Sequence, residues 1–351
     1  MKQLKIKYIT ILLFLCLFIL LRNSGDLLLL LSDYKNRPKI SVVITIYNRE
    51  NYIKKCIQSL QKQTLKEIEI VTVNDYSNDR TLSILTDLAK KDHRIKILNN
   101  EKNQGLLYSR SMGIINSSGE YIMNLDSDDE LNDNECLEYL YNQFKKYKVD
   151  IINYSVQFIE LNYVNKCPNN NEIVKQPELY NSLFSESGEI RDYLICNKIM
   201  KREVYLKAYE SFKIAVYNGK WNYFEDDVWN ILVNRYAISK LCVDRLIYIY
   251  NNNNNSLMHK RASILEFKNL LYRHEMYKKL FSTKEEEKYL IAEYYFLVNR
   301  LKSQLKELLL LNDNSIMKQI KNDFEYFLIN YNCSTSIKNE TINFLNLINS
   351  N

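Results

Sequence analysis

The sequence predicts an α/β protein built on a mostly parallel sheet with helices on both faces. Two positive observations carry that expectation. Short β-branched apolar runs alternate with amphipathic stretches from residue 39 to about residue 125, and Asn48, Asp75 and Asp126 fall within two residues of the ends of three of those runs. A third is negative: no internal repeat is present, and 6 Gly and 3 Pro exclude collagen and Pro-rich recognition tracts.

In chain order the N-terminus comes first. Lys2, Lys5 and Lys7 precede an apolar run from Tyr8 to Leu21, which Arg22-Asn23-Ser24-Gly25 interrupts and Leu27–Leu31 resumes. The first run is short of the roughly 20 residues that span a bilayer, but a segment continued to Leu31 is long enough, with Arg22 able to snorkel. A cleaved signal peptide shares the basic-then-apolar order, yet no small-x-small site closely follows Leu21. The expectation is an uncleaved signal anchor over residues 1–31 and a short stem over 32–38. Lysines held on the cytoplasmic side send the rest of the chain across.

Lys39–Ile46 reads as a buried strand. A helix follows from about Glu50 to Gln63, with Ile53, Ile57 and Leu60 at helical spacing. Ile68–Val73 is a strand, Thr81–Lys90 a helix, Ile95–Leu98 a strand and Leu106–Ile115 a helix. Tyr121–Leu125 is a strand that runs straight into Asp126-Ser127-Asp128-Asp129. Such βαβ units bind ligands beyond the carboxyl ends of their strands, which is where Asn48, Asp75 and Asp126 fall. Asn165–Gln176 reads as a loop, Ile190–Tyr209 and Phe224–Tyr236 as helical in part, Leu241–Tyr250 as a strand and Asn251–Asn255 as a loop. Helical spacing from Ile264 onward makes residues 263–351 an all-α appendage to a domain over residues 39–262.

The net charge of +6 is spread along the chain without a basic stripe, so no nucleic-acid partner is expected. The 43 Asn and 28 Tyr fit a biased base composition, since Asn, Tyr, Ile and Lys share A/T-rich codons. Seven Cys form no CxxC pair or zinc-type cluster, so buried free thiols are expected rather than a disulfide framework.

Two acidic clusters carry the chemistry. Three carboxylates in Asp126-Ser127-Asp128-Asp129 repel one another, and an Asp-x-Asp pair beyond a strand suits Mg²⁺ or Mn²⁺ bridging a diphosphate; a solvated turn explains the same residues. Glu225-Asp226-Asp227 opens a helical pattern. There the macrodipole favours acids, and a carboxylate can also act as a general base toward a hydroxyl. No P-loop and no GxGxxG is present, so kinase-type and dinucleotide sites have no support.

The motifs taken together are more specific than either cluster. Ser41-Val42-Val43-Ile44-Thr45-Ile46-Tyr47-Asn48 resembles the opening strand of family 2 glycosyltransferases, which have the GT-A fold. Val73-Asn74-Asp75-Tyr76-Ser77-Asn78-Asp79-Arg80-Thr81 resembles that family's Asp-rich turn, and Asn103-Gln104-Gly105 with Arg110 and Gly113 its next stretch. Gly119-Glu120-Tyr121-Ile122 leading to Asp126-Ser127-Asp128-Asp129 is the closest match. Asn197–Arg202 and Phe224–Trp229 look like its acceptor-side motifs.

The resemblance implies roles for individual residues. Thr45, Tyr47, Asn48, Asp75, Arg110 and Asp126 would contact the nucleotide, with Asp75 hydrogen-bonding uracil. Asp126, Asp128 and a late His259 would hold Mn²⁺ or Mg²⁺. Asp226 would be the general base, with Glu225 beside it. The implied reaction is inverting, non-processive transfer from a nucleotide-sugar donor, UDP-linked, to a glycan, lipid or protein hydroxyl. Thr45, Tyr76 and Ser111 depart from the family's frequent Pro, Gly and Asn; at Tyr76 a turn needing φ > 0 would be strained.

A periplasm holds essentially no nucleotide sugar, so the topology points to a type II protein of the Golgi or endoplasmic reticulum. The alternative is a bacterial inner-membrane anchor that leaves the domain cytoplasmic. The rival functions are a catalytically inactive sugar- or nucleotide-binding protein and a membrane-anchored interaction protein.

Overall fold

A computed structural model describes residues 37–167, 172–183, 194–217, 225–251, 273, 276–281, 290–291, 298–299, 314–330 and 335–349. The centre of the fold is β1 (Ile40–Ile46), every residue of which is buried. β1 pairs in parallel with β2 (Ile68–Asn74) on one side and β4 (Tyr121–Asn124) on the other, and β2 pairs in parallel with β3 (Ile95–Asn99).

A strand covered on both faces needs apolar residues at successive positions, because side chains alternate across the sheet. Val42 and Ile44 accordingly pack with Ile53, Ile57 and Leu60 of α1 (Ile53–Gln61). Val43 packs on the opposite face with Leu107 and Ile114 of α3 (Leu106–Ile115). Between these two helices in sequence lies α2 (Thr81–Ala89), which links β2 to β3. Gly113 lets α3 sit close to the sheet, since a Cβ there would overlap the Val43 Cγ1.

Beyond β4 come β5 (Glu130–Leu131), α4 (Cys136–Tyr147), β6 (Ile151–Phe158), β7 (Tyr163–Asn165), β8 (Ile173–Lys175) and α5 (Glu178–Asn181). They are followed by β9 (Lys198–Lys201), α6 (Arg202–Tyr217), α7 (Glu225–Tyr236) and β10 (Ser239–Tyr250). The described strands form one sheet in the order β3-β2-β1-β4-β9-β6-β10-β5, with β7 on β6 and β8 on β10. α8 (Asn314–Asn330) and α9 (Thr335–Asn349) fall where helices are expected and meet through Phe324 and Phe344, ring edge to ring face at 5.4 Å.

Three expectations need correction and one, the partly helical stretch Ile190–Tyr209, is narrowed. The sheet is mixed: β9 runs antiparallel to both β4 and β6, so the parallel rule holds from β1 to β4 and again between β6 and β10. β9 lies inside a stretch expected to be helical in part; helix begins only at Arg202, because Lys198–Lys201 fills the gap between two sheet edges. β8 lies inside the expected loop over Asn165–Gln176. Finally, Cys167 and Cys242 form a disulfide across 75 residues, while Cys56, Cys136 and Cys196 are buried free thiols. β6 brings the pair together: its Ser155 Oγ accepts the Cys167 N–H at 3.3 Å, and its Asn153 is the register partner of Cys242.

Residues 1–31, expected to anchor the chain, and His259, expected to ligate metal, lie outside the described residues. Among the described residues no helix is long and apolar enough to cross a membrane.

Candidate active site

The carboxyl ends of β1, β2 and β4 open at one edge of the sheet, and the expected site residues gather there. Thr45 is the exception in placement: it sits within β1 opposite Val73, largely buried, rather than beyond the strand. Tyr47 and Asn48 follow β1. Asn48 is left-handed (φ 53°) and is held by two bonds: its N–H donates to Ser77 Oγ at 3.0 Å, and its Oδ1 accepts the Asn78 N–H at 3.0 Å.

Asp75 follows β2 and is buried. Its Oδ1 accepts Asn100 Nδ2 and the Gln104 N–H, both at 2.8 Å, and its Oδ2 accepts the Gly105 N–H at 2.9 Å. Gly105, with φ 93°, makes the sharp entry into α3. No side chain caps that helix, so Asp75 places its charge where the dipole of α3 favours an anion. A carboxylate has about four acceptor positions, and three here are filled by the chain itself.

α3 then carries Arg110 into the site. The guanidinium is buried, and its Nη2 lies 3.2 Å from Glu225 Oε1, 3.3 Å from Asp226 Oδ1 and 3.6 Å from Asp126 Oδ1. Three carboxylates from two distant chain segments thus converge on one cation. Glu225, Asp226 and Asp227 form the first turn of α7, where the dipole offsets part of their repulsion. Asp226 Oδ1 is buried but accepts no hydrogen bond among the described residues.

The electrostatics follow from that crowding. Burial opposes the Arg110 charge, but Asp226, Asp126 and Glu225 outweigh it and hold the guanidinium protonated well beyond its ordinary range. Burial pushes Asp126 up to about 6 against the pull of Arg110, with help from Asp226 and Asp128. Burial and the neighbouring Asp226 raise Glu225 well above the usual carboxylate range. Asp227 is pushed up to about 6 by burial, although Arg273 pulls the other way.

Residues not anticipated from sequence fix the acidic loop. The Tyr248 hydroxyl, on β10, donates to Asp129 Oδ2 at 2.5 Å and accepts the Asp126 N–H at 3.1 Å. The Asn251 N–H donates to Asp129 Oδ1 at 2.8 Å, and its Nδ2 to the Asp128 carbonyl at 3.2 Å. Burial, Asp126 and Asp128 together push Asp129 up to about 9. Arg49 Nε lies 3.6 Å from Asp128 Oδ2. Its position directly after Tyr47-Asn48 is the one signal in the sequence, whereas Tyr248 lies more than a hundred residues from the loop it holds.

Among the described residues no group of three or more His, Cys, Asp or Glu forms a metal cage. The donor set present suits a different mode: Mg²⁺ and Mn²⁺ commonly take one or two carboxylates, waters and substrate phosphates. Asp126 and Asp128 have side chains 32% and 17% exposed, so both reach solvent at the edge of a pocket with excess negative charge. These residues fit a divalent cation of that kind.

Residues 41–207 match the model of glycosyl transferase family 2. The glycosyltransferase EpsJ of Bacillus subtilis is 30% identical over 223 residues, 63% of this chain and 63% of that protein. The GalNAc(5)-diNAcBac-PP-undecaprenol beta-1,3-glucosyltransferase of Campylobacter jejuni is 41% identical over 95 residues, 27% of this chain and 31% of the relative. Residues 1–349 of S. aureus TarS, solved in complex with UDP-GlcNAc, superpose with a TM-score of 0.66 at 17% identity, over 89% of this chain and 90% of that one. That likeness shows the fold, a GT-A-like mixed α/β sheet. The chain spans less than two thirds of the length of these two curated relatives.

Proposed function

We propose that the chain, whose residues 41–207 match the model of glycosyl transferase family 2, moves a sugar from a UDP-linked donor to a hydroxyl of a glycan, lipid or protein acceptor, inverting the anomeric carbon. The observation that carries the reading is the convergence of Asp126, Glu225 and Asp226 on the buried Arg110. One end of that cluster belongs to the edge where a nucleotide would lie, and the other to a helix N-terminus on the acceptor side.

In this reading Asp226 accepts the acceptor hydroxyl's proton as that oxygen attacks the anomeric carbon. The bond to the diphosphate breaks on the opposite face, so one displacement inverts the configuration. Arg110 orients Asp226 and Glu225 and carries positive charge close to the leaving group. Glu225, buried beside Asp226 on the same Arg110 Nη2, would share in that positioning. Asp126 and Asp128 would hold Mn²⁺ or Mg²⁺, which supplies charge neutralisation for the departing diphosphate. Tyr248 and Asn251 keep those two carboxylates in place.

The relatives named above are bacterial. They favour a bacterial setting, with the domain on the cytoplasmic side where nucleotide sugars are made, over the Golgi or endoplasmic reticulum. Membrane attachment through residues 1–31 rests on their sequence pattern.

The test is thermal shift and turnover of the purified chain across a panel of nucleotide sugars, with and without Mn²⁺. Binding of a UDP-sugar raises Tm through linkage, and slow donor hydrolysis or transfer to a supplied acceptor follows. A chain that neither binds nor consumes any nucleotide sugar overturns the proposal.

A further inference from the structure

Two turns at the carboxyl edge of the sheet contain a left-handed residue that is not glycine, and they are built differently. In the turn after β1 the residue is Asn48, a type that tolerates this conformation, and it is compensated by its two hydrogen bonds to the neighbouring turn. In the turn after β2 it is Tyr76, with φ 64°. A Tyr in the left-handed region is strained, because its Cβ crowds the backbone there. Among the described residues nothing offsets that strain: the Tyr76 side chain makes no hydrogen bond, ion pair or ring contact with them and is 58% exposed.

The placement supplies what the fold does not. Tyr76 directly follows Asp75, whose carboxylate organises residues 100–105 and whose carbonyl accepts Asn103 Nδ2 at 3.3 Å. Across the edge stands Tyr47, another exposed aromatic at 45%, in the turn to which residues 77 and 78 are hydrogen-bonded. The β1–β2 register ends at Ile46 and Asn74, so the two tyrosines lie one and two residues beyond a shared rung. A strained, uncompensated and solvent-facing ring at the ligand edge of an α/β sheet is the arrangement expected of a ring that finds its partner in the ligand.

We propose that Tyr76 is a donor-recognition residue whose ring stacks on the base of the bound nucleoside diphosphate, and that this contact maintains a strained residue in the turn. The inference rests on the glycosyltransferase reading above. Stacking of one base on one aromatic side chain is worth about 1–3 kcal/mol, at least a fivefold change in affinity.

The experiment is calorimetric titration of the full chain and its Tyr76→Asn and Tyr76→Phe variants with UDP, UMP and inorganic pyrophosphate, alongside thermal melts. Asn accepts the left-handed conformation without the ring, so Tyr76→Asn holds or raises Tm. It weakens UDP and UMP by at least about fivefold and leaves pyrophosphate unchanged, while Tyr76→Phe binds all three as the parent does. A merely structural Tyr76 gives the opposite, a lower Tm with unchanged UDP affinity, and overturns the inference. So does an equal loss in Tyr76→Phe, which would place the effect on the hydroxyl, or a parallel loss of pyrophosphate. A parent chain that binds neither UDP nor UMP overturns the inference and the glycosyltransferase reading together. A parent that binds while Tyr76→Asn binds equally removes the inference alone.

Discussion

Asp92 and Asp126 are both acids largely enclosed by one fold, and they are treated in opposite ways. Asp92 faces the Arg94 fork, with Nε on Oδ1 at 2.9 Å and Nη2 on Oδ2 at 2.8 Å, and Gln61 adds a third donor at 3.2 Å. Those bonds hold it down at about 2. Asp126 shares one guanidinium with two other carboxylates and is pushed up to about 6. The first arrangement is what a chain builds when a carboxylate has only to stay folded. The second leaves negative charge unspent in a pocket, which is useful only if something cationic or proton-bearing arrives. Asp75 belongs with Asp92, its oxygens being filled from the loop before α3.

The largest expected effect tests whether the crowded acids are working groups. Asp226→Asn keeps the volume and removes the base. Transfer should fall by about 10²–10⁴-fold, the usual contribution of general-base catalysis, with UDP affinity held within about twofold. Steady-state kinetics and calorimetry read the two quantities separately. Unchanged turnover would return Asp226 to the status of an acid favoured only by its helix dipole.

The satisfied side breaks differently. Asp75→Ala leaves the N–H groups of Gln104 and Gly105 without their acceptor and strips the charge from the start of α3. Bonds to a charged acceptor are worth about 1.5–3 kcal/mol each, so a loss of about 2–4 kcal/mol is expected after partial rescue by water. Denaturant melts measure it. Because α3 carries Arg110, activity should fall in step with the loosened helix.

Both groups were legible in the sequence to different depths. Asp75, Asp126 and Asp226 are marked by local patterns, an Asp beyond a β-branched run, an acidic turn and an acidic first turn of a helix, whereas Arg110 is reached only through the family resemblance. Tyr76 could be marked as strained because the turn chemistry is local too. The partnerships were out of reach. Tyr248 reaches Asp126 and Asp129 across more than a hundred residues, and Cys167 meets Cys242 only because both flank β6. α4 has a pattern of its own in the sequence, since Leu137, Leu140 and Phe144 stand at helical spacing. β9 is hidden in the sequence, since four residues inside a stretch of helical pattern take strand form only when β4 and β6 offer edges.

The contrast also has a pH signature, with signs that oppose. Asp92 is lowered, so its contribution is present above the ordinary carboxylate value and is lost as pH falls toward about 2. Asp126 and Asp227 are raised to about 6 and Asp129 to about 9, so the folded state binds protons that the unfolded chain has released. Their contribution is full below the ordinary carboxylate value and is lost as pH rises through about 6 and then about 9. Without divalent cation, stability should therefore peak near the ordinary carboxylate range, about pH 4–5, and decline toward pH 8. Calorimetric Tm against pH checks this, and a monotonic rise to neutrality would show that the cluster is less crowded than its geometry implies. Mn²⁺ should raise Tm more at pH 8 than at pH 5, because it competes with protons for the same carboxylates.

The smallest effect is also the most discriminating. Substituting a satisfied carboxylate destabilises, whereas Asp126→Asn removes one of three charges from around Arg110 while keeping its shape and leaving Glu225 and Asp226 to neutralise the guanidinium. The metal-free variant should be more stable than the parent by about 1 kcal/mol at neutral pH, the gain expected when a functional site's stored repulsion is relieved. Mn²⁺ binding and its stabilisation should weaken in the same protein. Thermal melts with and without Mn²⁺ measure both terms on one sample. Stability gained with metal response lost identifies Asp126 as a residue kept for its charge against the interest of the fold. Stability lost would place it with Asp75 and Asp92, as a carboxylate whose first task is to hold its own loop.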